Sequence, residues 1–150
     1  MSFAFSLLAT VAAQEKQAVQ PKEFTPGGPF SPGIIANGTI FVAGQVGRDL
    51  KTGKIPENFE DEVRTTLTNV GVILKEAGYD FKDAVTVQVY LTDMELFPRM
   101  NAVYTTFFPE PRPARTTVGV AKLVGTARIE ITVTAWKDTG AGRKGKKKRK

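Results

Sequence analysis

Apolar residues recur at two different spacings along the chain, and each spacing predicts a different kind of element. Residues 33–36 and 39–46 are rich in β-branched and other apolar side chains, and they flank Asn37-Gly38. Because both residues of this dipeptide readily adopt positive φ, the pattern predicts a β-hairpin. Gly44 interrupts the second run, which indicates a bulge or a close approach of another group to the backbone.

Spacings of three and four residues predict two helices. The first spans residues 58–77, carries acidic residues in its first turn and is ended by Gly78. Its apolar face consists of Phe59, Val63, Leu67, Val70, Leu74 and Ala77. The second helix spans about residues 94–107 and follows Asp93, which suits an N-cap.

Alternating segments predict the remaining strands, at residues 84–91, 115–121 and 127–136, the last two joined around Val124-Gly125. The order is then a hairpin, a helix, a strand, a helix and two strands, which predicts an α+β domain. Right-handed crossovers place both helices on one face of a mixed sheet. Since the strands also carry apolar residues on the other face, we expect a homo-oligomer to cover it.

The ends of the chain differ in composition from the domain between them. Residues 1–13 are apolar and end in small residues, as in a secretory signal, but they lack the basic residues with which such a signal usually begins. A cleaved signal peptide, with a periplasmic or secreted product, and an uncleaved cytoplasmic start are therefore equally consistent. This run is too short to span a bilayer. Residues 14–23 are predicted to be a flexible arm and residues 24–137 the domain.

The net charge of +6 is concentrated in the C-terminal tail. Residues 141–150 hold seven of the 21 basic residues, and the rest of the chain has 14 basic residues against 15 acidic ones. The domain is therefore not a basic nucleic-acid surface. Only the tail, predicted to be disordered over residues 138–150, could bind nucleic acid strongly.

The chain has no histidine and no cysteine. Imidazole catalysis, thiolate nucleophiles and thiolate or imidazole metal sites are therefore excluded. The spacing of Asp and Glu indicates no carboxylate metal site either, so we expect neither a metal nor a cofactor. Chemistry must rely on arginine, carboxylate, hydroxyl and backbone groups and on water.

Arg115 and Glu130 are the strongest candidates for such chemistry. Arg115 follows a loop stiffened by Pro113, and its planar guanidinium suits a substrate carboxylate, although arginines at strand edges are mostly solvated. Glu130 lies mid-strand, where it is either an exposed carboxylate or a group that positions water. If the last two strands pair as a hairpin, a small anion fits between the two side chains. Thr117 shares the face of Arg115 and could add a hydroxyl contact.

Three further residues are weaker candidates. Phe30 could form the wall of an apolar pocket, Gly44 could admit a ligand close to the backbone, and Asn101 could contact a ligand from the second helix. Taken alone, each also has a purely structural explanation, as part of a turn, a bulge or a solvated surface.

A series of short motifs is informative as an ordered set. It consists of Gly28-Pro29-Phe30-Ser31, Phe41-Val42-Ala43-Gly44-Gln45-Val46-Gly47, Thr52-Gly53, Asn69-Val70, Ala77-Gly78, Asn101-Ala102-Val103-Tyr104, Phe107-Phe108, Pro113-Ala114-Arg115 and Ile129-Glu130-Ile131. This set, over about residues 24–137, strongly resembles the RidA/YjgF family, also called the endoribonuclease L-PSP or translation-inhibitor family.

The resemblance implies a chorismate-mutase-like α+β fold, related to ferredoxin-like folds, and a homotrimer with ligand clefts between subunits. It implies metal-independent hydrolysis of reactive enamines and imines, such as 2-aminoacrylate and 2-iminopropanoate, to 2-oxo acids and ammonia. By the same resemblance Arg115 grips the carboxylate of a small anionic metabolite and Glu130 positions or activates water. Asn101 and the backbone near Gly44 line the cleft.

The chain departs from the family pattern at three positions. Phe30 stands where tyrosine is common, Thr117 where cysteine is common, and Ala43 where serine often precedes Gly-Gln. Because Arg115 and Glu130 are retained, we expect activity, while the substrate preference stays open. Two alternatives to deamination are an RNA-binding or RNA-cleaving translation inhibitor and a non-catalytic trimer that binds small carboxylates.

Overall fold

One mixed β-sheet with two helices on one face forms the domain. The structure is a computed structural model and describes residues 15–138. The strands are β1 (Gln17–Val19), β2 (Gly33–Ala36), β3 (Thr39–Val42), β4 (Gln45–Val46), β5 (Ala84–Leu91), β6 (Ala114–Gly119) and β7 (Ile129–Trp136). The helices are α1 (Phe59–Glu76) and α2 (Phe97–Tyr104), with 3₁₀ turns at Phe81–Asp83 and Met94–Leu96.

The strands lie in the order β1-β2-β3-β7-β5-β6, and β4 also pairs with β7. Strands β5 and β6 are parallel and all other neighbours are antiparallel. The predicted α+β fold with a mixed sheet is therefore confirmed. Among the described residues, no helix is both long and apolar enough to cross a membrane.

Local signals in the sequence predicted the first half of the domain well. Asn37 and Gly38 have φ values of 50° and 74° and connect β2 to β3, as the hairpin prediction requires. Asn58 caps α1 by accepting a hydrogen bond from the backbone N–H of Asp61, and Gly78 follows the helix with φ 78°.

The predicted pairing of the last two strands is wrong. Strand β5 lies between β6 and β7, hydrogen-bonded to both. The connecting residues 120–128 pass over the end of β5, a step of two strand spacings, or about 10 Å. The core explains the arrangement, because Val87, Val89 and Leu91 of β5 are almost fully buried and need apolar neighbours on both sides.

Other differences from the sequence predictions are smaller. The arm contains strand β1, which pairs with β2. Helix α2 ends at Tyr104, three residues before its predicted end, and Asp93 caps the preceding 3₁₀ turn. The predicted signal peptide over residues 1–13 and residues 139–150 of the predicted tail lie outside the described residues.

The two faces of the sheet differ in what covers them. The face beneath α1 and α2 holds the core, including Ile40, Ile129, Ile131 and Val133, none of which is exposed. The opposite face, called the open face below, bears Phe41, Val118 and Trp136, with 51%, 41% and 51% of their surfaces exposed. This face supports the expectation of a homo-oligomer, which stays a prediction.

A one-residue bulge separates β3 from β4. Between the pairs Phe41–Thr134 and Gln45–Ile131 the chain advances four residues on one side and three on the other. The predicted interruption at Gly44 is thereby confirmed. The bulge also reverses the alternation, so that Gln45 is buried with Ile131 while Val46 lies opposite Glu130 on the open face.

A buried ion pair joins α1 to the start of β7. The Glu62 carboxylate is fully buried and accepts hydrogen bonds from the backbone N–H and the Nε of Arg128, at 2.7 and 2.6 Å. The guanidinium also donates to the carbonyl oxygens of Pro56 and Glu57 at 2.9 and 3.0 Å. A Cβ on Gly47 would lie 2.5 Å from Glu62, so glycine is required there.

We predict that Glu62→Gln lowers the free energy of unfolding by about 3 kcal/mol, because it leaves the Arg128 charge without its counterion. Urea unfolding followed by circular dichroism measures this. Glu60→Gln is the matched control, because Glu60 makes an equally short pair with Arg99 at the surface, where water screens it. Equal losses in the two variants would contradict the prediction.

Candidate functional site

The six candidate residues separate into two groups on two surfaces of the subunit. Glu130, Gly44 and Phe30 line one cleft. Arg115 and Thr117 lie on edge strand β6, on the face covered by α2, the helix that carries Asn101. Each of the six candidates lies at one of these two surfaces, but the structure does not bring all six together within one chain.

The register of the sheet fixes this separation. Arg115 pairs with Val87, whose side chain is in the core beneath the helices, and Glu130 pairs with Tyr90 and lies between the buried Ile129 and Ile131. Because side chains alternate between faces along a strand, Arg115 points to the helix side and Glu130 to the open face. The hypothesis of an anion held between these two side chains of one chain is therefore wrong.

The carboxylate of Glu130 lies directly over Gly44. A Cβ added to Gly44 would stand 2.0 Å from Glu130 Oε1 and 2.9 Å from its Cδ. Gly44 therefore provides the space that the carboxylate occupies, and the bulge that contains Gly44 brings the backbone close to it.

The surrounding cleft has a volume of about 760 Å³. Its apolar lining is Phe24, Phe30, Leu50, Val46 and Val124, and Arg48, Asp49, Gln45 and Asn69 add polar groups. Phe30 is 66% exposed, so its ring forms the outer wall of the cleft rather than part of the core. The cleft is thus a mostly apolar recess whose lining includes the Glu130 carboxylate together with those of Glu23 and Asp49.

Asn69 fixes the backbone at Val46 and Arg48, two residues that line this cleft. Its side-chain amide, buried within α1, donates to the carbonyl oxygens of Val46 and Arg48 at 3.2 and 2.9 Å. Sequence reasoning noted Asn69 as part of a motif but gave it no role. Asn69 lies outside the apolar stripe predicted for this helix, so no local pattern indicated its role.

Aromatic rings surround Arg115 at the other surface. Its guanidinium carbon lies 4.5 Å from the centre of the Tyr104 ring and 5.5 Å from that of Phe97. Both rings belong to α2, and Asn101 is four residues from one and three from the other, so the three side chains share one face of the helix. Sequence reasoning named Tyr104 as part of a motif and missed its contact with Arg115.

Two buried hydroxyls near this arginine have no hydrogen-bond partner among the described residues, those of Tyr104 and Thr117. Burial raises the pKa of the Tyr104 phenol, and the neighbouring Arg115 charge opposes that rise. Unpaired buried polar groups are uncommon in folded domains. The two unpaired hydroxyls near Arg115 therefore distinguish this edge of the sheet from the rest of the described domain.

Arg115 also differs from most other arginines of the domain. Within residues 15–138, Arg64, Arg99, Arg112 and Arg128 each form an ion pair, whereas Arg48 and Arg115 do not. Arg48 donates from Nη1 to the carbonyl oxygen of Gly53 at 2.7 Å. The Arg115 guanidinium lies over an aromatic ring instead of against a carboxylate, which leaves its N–H donors available for a planar anion.

The chemical groups of the two surfaces are complementary. One supplies a cation suited to a carboxylate, and the other supplies a carboxylate in an apolar cleft, able to accept a proton or orient water. Residues 15–138 contain no group of three or more acidic residues that could hold a metal ion.

Comparison with known proteins places this architecture in a family. The family model described as Endoribonuclease L-PSP matches residues 20–137. A chloroplastic Reactive Intermediate Deaminase A from Arabidopsis thaliana is 38% identical over 134 residues, covering 87% of this chain and 72% of that protein. A 2-iminobutanoate/2-iminopropanoate deaminase from Bos taurus is 38% identical over 109 residues, covering 72% of this chain and 80% of that protein.

The fold comparison agrees. The solved structure of TdcF from E. coli with bound serine superposes with a TM-score of 0.75 at 32% identity, covering 81% of this chain and 99% of that one. The matched region includes every strand from β2 to β7 and both helices. This chain therefore belongs to the RidA/YjgF family, whose family model is that of endoribonuclease L-PSP.

Proposed function

We propose that the protein hydrolyses reactive enamines and imines of the 2-aminoacrylate and 2-iminopropanoate type to 2-oxo acids and ammonia. The relatives named as deaminases support this reaction. The observation that carries it for this chain is the pair of complementary surfaces, one with Arg115 free of ion pairs within residues 15–138 and the other with Glu130 in the lining of a cleft.

Arg115 would bind the substrate carboxylate. The guanidinium lies over the Tyr104 ring, and two parallel N–H donors would meet the two oxygens of the carboxylate. Asn101 and Thr117 lie on the same side of the sheet and would add contacts to the bound metabolite. This interaction orients the C=N carbon, and orientation is the larger part of what an already electrophilic substrate needs.

Glu130 would position the attacking water. Addition of water to the imine carbon gives a carbinolamine, and proton transfer from oxygen to nitrogen then allows ammonia to leave as the C=O bond forms. A carboxylate that accepts a hydrogen bond from water can direct this attack and carry the proton. The reaction consumes one water and needs no metal or cofactor.

Such a site requires two copies of the chain. Since Arg115 and Glu130 lie on opposite faces of one sheet, we infer that Arg115 of one copy meets Glu130 of a second across a subunit boundary. A homotrimer with three equivalent boundaries satisfies this requirement and covers the exposed apolar side chains of the open face. Sedimentation equilibrium should therefore give a trimer.

Ammonia release from 2-iminopropanoate, generated in the assay by an amino-acid oxidase, tests the reaction. Arg115→Ala should lower kcat/KM by about 100-fold, since loss of one partner of a charge pair costs about 2–5 kcal/mol. Arg64→Ala is the matched control, because Arg64 is exposed on α1 and pairs with Asp61. Equal rates for Arg115→Ala and the unaltered protein would contradict the assignment.

We predict that Gly44→Ala also lowers kcat/KM by about 100-fold, because the new methyl group displaces the Glu130 carboxylate and misplaced catalytic groups are costly. The flexible carboxylate can move aside, so the thermal unfolding temperature should change little. Gly28→Ala is the control, because its methyl group would have nothing nearer than 3.9 Å. Full activity in Gly44→Ala would show that the position of Glu130 is unimportant.

The family description also names RNA cleavage. The charge balance of the domain does not favour it, since 14 basic residues face 15 acidic ones outside the tail. A protein that lacks residues 141–150 separates the two functions: we expect it to keep imine hydrolysis and to lose RNA binding. RNA cleavage by this shortened protein would favour an RNA-cleaving function over imine hydrolysis.

A further inference from the structure

We propose that Tyr104 is a positioning residue for the Arg115 guanidinium, holding it by the face of the aromatic ring so that its in-plane donors stay free for a substrate carboxylate. This role deepens the proposed function and depends on it for the kinetic part of the test. The inference comes from three observations: how Arg115 is held, how the Tyr104 ring is held, and what the tyrosine hydroxyl does not do.

Arg99 and Arg128 also lie over an aromatic ring, that of Phe59 at 5.4 Å, but unlike Arg115 both are held by a carboxylate as well. Arg128 and Arg99 each direct guanidinium N–H groups at a buried or surface carboxylate, so some of their in-plane donors are consumed. Arg115 has the Tyr104 ring 4.5 Å from its guanidinium carbon and no ion pair among the described residues. A cation held over a ring is restrained without losing its donors.

The ring itself is fixed. Tyr104 is only 2% exposed and stacks on Phe108 with ring centres 4.4 Å apart. Phe108 in turn meets Phe81 edge-to-face at 5.1 Å, next to the parallel strand pair. The platform beneath Arg115 is therefore part of the core, whereas Phe97, at 5.5 Å, supplies a more distant second wall.

The hydroxyl of Tyr104 lies near the Arg115 guanidinium, which lowers its pKa, but it forms no hydrogen bond of normal geometry with any of residues 15–138. Burial outweighs that effect and raises the pKa, so the phenol remains protonated at neutral pH. The ring face, and not the phenol, then carries the function. This separates a role of the ring from a role of the hydroxyl, because phenylalanine should replace tyrosine fully while leucine should not.

The test compares Tyr104→Phe, Tyr104→Leu and the control Tyr79→Leu. Tyr79 is also buried beneath a cation, with Lys137 Nζ 5.1 Å from its ring, but it is not part of the Arg115 surface. Tyr104→Leu should raise KM for 2-iminopropanoate and Kd for pyruvate about tenfold, with kcat changed less than about threefold. In Tyr104→Phe, the KM, the kcat and the Kd for pyruvate should each stay within about twofold of the values for the unaltered protein.

A spectroscopic measurement does not depend on turnover. The Nε–Hε resonance of Arg115 should be shifted upfield by the ring current in the unaltered protein and in Tyr104→Phe. In Tyr104→Leu this shift should disappear, while Tyr79→Leu should leave it in place. If Tyr104→Leu does not fold, Tyr104→Met takes its place.

An unchanged Arg115 resonance and an unchanged pyruvate Kd in the leucine or methionine variant would overturn the proposal. Loss of binding in Tyr104→Phe would overturn it as well, because the hydroxyl would then be the essential group. Absence of imine hydrolysis by the unaltered protein would contradict the proposed function instead. In that case the Arg115 resonance alone decides whether Tyr104 positions the arginine.

Discussion

The pleat of the β-sheet is the constraint on which the site depends. Side chains along a strand alternate between two faces, and the register of β5 with β6 and β7 puts Arg115 on the helix side and Glu130 on the open side. No rotamer change can reverse this, because the sheet itself separates the two groups. A reaction that needs both must therefore take one from each of two subunits. The proposed oligomerisation would then complete the site, in addition to covering Phe41, Val118 and Trp136.

Each half of the site is prepared by its own local structure. On the open face, the bulge at Gly44 makes room for the Glu130 carboxylate, and Asn69 fixes the strand beyond it through two backbone carbonyl oxygens. On the helix side, an aromatic cluster built from α2 and the residues after it supports Arg115. The buried Glu62–Arg128 pair fixes the start of β7, two residues before Glu130. Rigid support of this kind suits a reaction in which orientation does most of the work.

The sequence predicted what depends on local signals and missed what depends on distant pairing. Asn37-Gly38 specify a turn and Gly78 a helix end through their own backbone conformations, and both were predicted correctly. The position of β5 between β6 and β7 follows from packing of the whole core, which no local pattern contains. Glu62 was read as a favourable charge in the first turn of α1, since nothing nearby in the sequence indicates its partner 66 residues away. The candidate residues were chosen for their chemistry and position and were then matched to the family by resemblance, while their division between two surfaces required coordinates.

Mixing two inactive variants measures directly whether the site is shared between subunits. Arg115→Ala and Glu130→Gln are each expected to lack activity when assembled alone. Unfolded together in equal amounts and refolded, they form mixed oligomers in which some boundaries combine an intact Arg115 with an intact Glu130 from the neighbouring copy. If each site takes one residue from each of two subunits, random assembly should restore about a quarter of the activity of the unaltered protein. A mixture as inactive as its two components would contradict a site shared between subunits.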